Sequence, residues 1–135
     1  MIIKRGIKET KYKSHRCEHN GIKFASKAEM SRYVNLEILA RDGAISELEI
    51  QPRFVLLDKF KSCGNSYRAI EYVADFRYRD INNTTVVEDV KGKETPVYKL
   101  KIKLFLHRRD AGDFGERIVF REMRLKNKKW SEVDL

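Results

Sequence analysis

The chain has 135 residues, 41% hydrophobic and 36% charged, with 29 Lys and Arg against 20 Asp and Glu for a net charge of +9. That length supports one domain with its own core, whereas division into two would leave each half too small to bury one. No apolar run approaches the roughly 20 residues that cross a bilayer, and residues 1 to 13 lack the apolar block of a secretory signal, so a soluble, cytoplasmic protein is expected.

In chain order, residues 11 to 24 read as a small hairpin turning at Asn20-Gly21, a pair suited to a two-residue turn. Ser26 stands three residues before Glu29, the capping-box spacing. Met30, Tyr33, Val34, Leu36, Ile38 and Leu39 then recur with an approximately helical period, which predicts a helix from about 27 to 42 ending before Gly43. Residues 44 to 48 and 53 to 60 are expected strands, the second opening on an apolar run after Pro52. Residues 67 to 78, β-branched and aromatic, read as one strand; residues 80 to 83 are turn chemistry and 84 to 91 return as its partner in a long hairpin. Beyond Gly92, Thr95 caps a second helix with Pro96 at its first position, and Val97, Leu100, Leu104 and Phe105 mark an inner face running to about His107. Residues 117 to 123 are a last strand before a basic tail. The fold class is α/β of the mixed α+β kind, a mixed central sheet flanked by helices with an N-terminal hairpin, in a strand order that one sequence does not give.

Charge is segregated along this order. Residues 1 to 27 carry 8 basic and 2 acidic side chains, residues 28 to 90 carry 8 and 11, and residues 91 to 135 carry 13 and 7. Basic ends around an acidic middle suit a surface that holds a polyanion beside a local group of carboxylates. Cys17 and Cys63 are too few for a disulfide scaffold and read as free thiols. His15, Cys17 and His19 invite zinc, but their alternate spacing lies on a strand and no second ligand pair of recognisable spacing accompanies them.

The long hairpin carries the chemistry. Asp75 interrupts an otherwise apolar strand, and Glu88, Asp89 and Lys91 end the next. Alternation puts Asp89 and Lys91 on one face and Glu88 on the other. A turn centred on Asn82 sets Asp75 opposite Asp89, with Cβ atoms roughly 5 Å apart; a slip by one would oppose Asp75 to Glu88 instead. Two facing carboxylates repel unless one is protonated or a cation lies between them, and hard oxygen ligands suit Mg²⁺ or Mn²⁺. A charge-balanced patch at a sheet edge is the structural alternative.

At these residues the sequence resembles the PD-(D/E)XK nuclease superfamily, in Ala74-Asp75 and Asp89-Val90-Lys91, with Ala74 where the signature has proline. The likeness extends through Phe24-x-Ser26-Lys27-x-Glu29, Gly43-x-Ile45 and Leu48-x-x-Gln51-Pro52-x-Phe54, and over residues 11 to 107 it is similar to small phage and prophage endonucleases, some likened to Holliday-junction resolvases. The resemblance implies a restriction-endonuclease-like core in αβββαβ order. It implies that Asp75, Asp89 and the Val90 carbonyl hold the metal, that Lys91 orients or activates water or stabilises charge at the phosphate, and that Glu29 adds a carboxylate. The implied activity is metal-dependent endonucleolytic cleavage of DNA, with four-way junctions as a candidate substrate and a homodimer as the form that cuts two strands symmetrically. Lys27, Tyr98, Lys99, Lys101, Arg108 and Arg109 are candidate DNA contacts. The competing readings are a nuclease of linear duplex, restriction-like in habit, and a basic DNA-binding protein whose carboxylates are structural.

Overall fold

The structure, a computed structural model, describes residues 16–135. In chain order the elements are β1 (Cys17–His19), β2 (Ile22–Phe24), α1 (Lys27–Arg41), β3 (Ser46–Ile50), β4 (Arg53–Leu57), β5 (Phe60–Ser62), β6 (Asn65–Tyr67), β7 (Ile70–Val73), β8 (Phe76–Arg79), β9 (Thr85–Val90), α2 (Pro96–Asp110), β10 (Ile118–Lys126) and β11 (Lys129–Asp134). The central sheet has the spatial order β11-β10-β9-β8-β3, with β9 and β10 parallel and its other pairs antiparallel. It is the mixed α+β architecture the sequence predicts. From α1 onward its strands follow the chain order α1-β3-β8-β9-α2-β10, which is αβββαβ, with β4 to β7 inserted as two further ribbons and β11 appended.

Alternation along β9 explains why the strand is buried almost throughout. Val86 packs with Phe24, Tyr33, Leu36, Phe76 and Tyr78 beneath α1, and Val87 with Ile102, Phe105, Ile118 and Phe120 beneath α2. A strand covered on both faces reads as a continuous apolar run, and here the run is broken only by the charges at its end. The parallel β9–β10 pair is joined through α2, the crossover that parallel strands require.

Several local expectations hold in detail. Asn20 and Gly21 take positive φ angles of 51° and 78° in the β1–β2 turn, while the hairpin's expected residues 11 to 15 lie outside the described residues. The Ser26 hydroxyl accepts the Glu29 amide at 3.1 Å and α1 ends at Arg41, capped by Asp42. Thr95 accepts the Tyr98 amide at 3.0 Å with Pro96 in the first turn. No helix among the described residues is long and apolar enough to cross a membrane.

Other expectations are corrected. The strand expected over 67 to 78 is three pieces, β6, β7 and β8, belonging to three different sheets. The chain is broken at Ala74–Asp75 by contacts from a distant segment: the Gln51 amide donates to the Asp75 carbonyl at 2.9 Å, and the Ala74 amide to the Pro52 carbonyl at 3.1 Å. The strand expected over 53 to 60 ends at Leu57, and β3 begins two residues later than expected, at Ser46. On α1, Tyr33 and Leu36 are buried while Ile38 is 47% exposed, because only a narrow stripe of the helix meets the sheet. On α2 the inward stripe is Tyr98, Ile102 and Phe105, and Val97 and Leu100 face outward, half or more exposed. The helix runs one turn beyond His107, and the basic tail pairs with β10 as β11.

Candidate active site

The β8–β9 pairing sets Phe76 against Glu88, Arg77 against Val87 and Tyr78 against Val86, the register that brings Asp75 opposite Asp89. The Asp75 amide donates to the Glu88 carbonyl at 3.1 Å, and the Val90 amide returns a 2.7 Å hydrogen bond to the Asp75 carboxylate. Asp75 is thus fixed by backbone on both sides at the point where the chain changes sheets. Asp89 is 8% exposed and points into the same cleft, of about 620 Å³, which Glu29, Tyr72, Val90, Lys91, Tyr98 and Lys101 also line.

Burial and then the facing Asp89 hold the Asp75 carboxyl well above the usual carboxylate range. Burial also raises Asp89, a rise opposed by the polar side chains of Asp75, Tyr98 and Tyr72 around it. Glu29, at the N-terminus of α1, is pushed up to about 6 by burial and by Asp89. Burial, and after it the neighbouring Asp89 charge, raises the Tyr72 hydroxyl, which is buried beside Asp89 without a hydrogen bond of good geometry. Two buried carboxyls that face each other, with a third from Glu29 in the same cleft, are oxygen ligands of the kind a hard divalent cation takes. Among the described residues no three His, Cys, Asp or Glu side chains converge to cage an ion by themselves. Mg²⁺ does not need such a cage: it is held by one or two carboxylates and completes its shell with water and phosphate oxygens.

Lys91 follows on the same face as Asp89, its side chain only 10% exposed. Its ammonium lies 2.9 Å from Glu122, also contacts Glu94, and sits 5.8 Å from the centre of the Tyr98 ring. Burial draws its pKa down, but the hydrogen bonds to Glu94 and Glu122 outweigh that and leave it raised, so the side chain is a cation at neutral pH. The parallel β9–β10 register sets Glu122 beside Asp89.

Glu88 faces the other way. It is fully buried and forked by Arg32, Nε to Oε1 at 2.7 Å and Nη2 to Oε2 at 2.6 Å, with a third hydrogen bond from the Tyr78 hydroxyl. This closed network under α1 separates Glu88 from the cleft and leaves Asp89 as the carboxylate that faces Asp75.

The family described as "Protein of unknown function (DUF1064)" matches residues 9–132. The chain belongs to the DUF1064 family. No curated protein matches it. A solved structure described as "Crystal structure of SSO0001" is 15% identical, with a TM-score of 0.44, over 78% of this chain and 48% of the other. The chain spans about half the length of that structure, a likeness too distant to inform activity.

In this DUF1064 chain the cleft brings together Glu29, Asp75, Asp89, Val90, Lys91, Tyr98 and Lys101 of the residues the sequence singles out. Lys27 and Lys99 are exposed nearby on the first turns of α1 and α2 and do not line it. Arg108 and Arg109 lie at the far end of α2, roughly 15 Å along the axis from Tyr98. Arg108 caps the carbonyls of Val55 and Leu56 at 3.1 and 3.2 Å, and Arg109 pairs with Asp110 and the Leu135 carbonyl. His19 bonds Glu37 at 3.0 Å, and His15 lies outside the described residues. Tyr72 and Glu122 are the site residues that sequence reasoning missed. A signal for Glu122 was present: it continues the core-facing alternation of Ile118 and Phe120, a charge where an apolar residue is due.

Proposed function

We propose that the protein is a metal-dependent endodeoxyribonuclease of the PD-(D/E)XK type, acting in the cytoplasm on DNA with Mg²⁺ or Mn²⁺. The observation that carries the reading is the pairing of Asp75 with Asp89 across β8 and β9, with the Lys91 ammonium two residues on in the same cleft. Asp75, Asp89 and the Val90 carbonyl would hold the ion, with Glu29 as a further carboxylate. When bound, Mg²⁺ supplies a hydroxide nucleophile near neutral pH and neutralises charge on the phosphate. Lys91, kept protonated by two carboxylates, donates to a non-bridging phosphate oxygen as charge develops there. Glu122 and Tyr98 hold that ammonium at the cleft wall. Lys101 lines the same cleft and would meet a phosphate adjoining the cut.

The test is incubation with labelled four-way junction, fork, linear duplex and single-stranded DNA in Mg²⁺, Mn²⁺ or EDTA, alongside Asp89→Asn and Lys91→Ala. Metal-dependent cutting lost in both variants supports the reading, and paired symmetric nicks confined to the junction select a resolvase acting as a homodimer. Salt-dependent binding with no cleavage by folded protein would replace the nuclease with a DNA-binding protein whose carboxylates are structural.

A further inference from the structure

Residues 57 to 70 form an arm in which every residue is exposed. β4 and β7 pair in a ribbon that continues into the β5–β6 hairpin, closed by Cys63 and Gly64 at φ angles of 47° and 79°. An arm without core contacts relies on its turn and its cross-strand pairs to keep its shape, and the Phe60–Tyr67 rings stack with centroids 4.8 Å apart at 12°. That stack uses one face of each ring. The outer faces remain open, and the residues are 43% and 46% exposed.

Three cations flank the pair. Lys59, Lys61 and Arg68 make no ion pair among the described residues, whereas the cleft's Lys91, Arg32 on α1 and the sheet's Arg77, Arg79 and Arg121 are all neutralised by carboxylates. The arm is also continuous with the cleft, because Val73, at the end of β7, lines it beside Asp75. From Val73 to Tyr67 is six residues, at most about 20 Å of strand, equal to about six nucleotide steps at 3.4 Å.

We propose that this arm binds DNA carrying unpaired bases, stacking a base on the outer face of the Phe60–Tyr67 pair while Lys59, Lys61 and Arg68 meet the adjoining phosphates. Aromatic platforms with neighbouring cations hold single-stranded nucleic acid in this way without reading its sequence. The proposal rests on the nuclease reading and deepens it: the substrate is a branch or fork, and the cut falls in the duplex within about six nucleotides of the unpaired base.

Anisotropy titrations in EDTA compare a fluorescent fork with a blunt duplex of the same sequence, each protein being scored by its own ratio of dissociation constants. The wild type is expected to favour the fork about tenfold, the size of one base-on-aromatic stack. Phe60→Ala/Tyr67→Ala brings the ratio near one, and so does Phe60→Leu/Tyr67→Leu, which keeps an apolar cross-strand pair and hence the hairpin. A ratio unchanged in the leucine variant overturns the proposal. So does a variant that keeps the ratio but changes from dimer to monomer in gel filtration, since the arm would then contact a second copy of the chain. Because binding is read without metal, an absence of cutting in Mg²⁺ or Mn²⁺ defeats the nuclease reading while a lost fork preference still upholds the arm.

Discussion

Replacing Arg32 by alanine isolates the role of the network beneath α1. Glu88 has no exposed surface and takes both guanidinium hydrogen bonds together with that of Tyr78. Removing the guanidinium leaves a carboxylate with neither water nor a counter-ion. Breaking a buried pair in this way costs about 3–5 kcal/mol. The unfolding entropy of about 2.1 cal/mol/K per residue amounts to about 0.28 kcal/mol/K over the chain, so Tm should fall by roughly 10–18 °C. Circular dichroism with heat and with urea measures both figures. Arg32→Met combined with Glu88→Leu removes both charges and should return to within about 1 kcal/mol of the wild type, or exceed it. It should also retain cleavage, because neither residue faces the cleft. A loss below about 1 kcal/mol in Arg32→Ala, or a double variant as damaged as the single one, would refute the reasoning.

Asp89→Asn should abolish cleavage and, in EDTA, flatten the loss of urea stability that the raised Asp75 and Asp89 carboxyls cause as pH rises, because the native state binds more protons than the unfolded one there; an unchanged pH slope would contradict the facing-carboxylate geometry. Glu29 has its folded pKa raised from 4.5 to about 6, so the native state binds more protons than the unfolded one in that window. Metal-free stability should therefore fall by up to about 2 kcal/mol as pH rises through it, a slope that Glu29→Gln removes in pH-dependent melts. Glu122→Gln weakens the hold on Lys91 and should lower kcat roughly 10- to 100-fold with little change in KM, as expected of a misplaced catalytic group; an equal rise in KM would make it a binding residue instead.

What the sequence made legible was local or periodic. The Ser26–Glu29 spacing located α1, and the turn residues around Asn82 set the register that brings Asp75 to Asp89. What stayed hidden depends on contacts between distant segments. The run from 67 to 78 is chemically uniform, and only the hydrogen bonds it shares with the Gln51 amide and the Pro52 carbonyl divide it. Arg108 has the composition of a phosphate contact, but carbonyls more than 50 positions away claim its guanidinium. Glu122 could be flagged as a misplaced charge, but its partner Lys91 follows from the β9–β10 neighbourhood, which is a property of strand order.

The two hydrogen bonds that close the base of the inserted ribbons, Gln51 to Asp75 and Ala74 to Pro52, lie between those ribbons and the strands that carry Asp75 and Asp89. Variation in length or composition beyond Leu57 and before Ile70 is therefore mechanically insulated from the carboxylates. The arm's tip can be shortened, extended or exchanged with a relative's while the clasp keeps Asp75 in register, which makes residues 58 to 69 a natural place for divergence and grafting within the family.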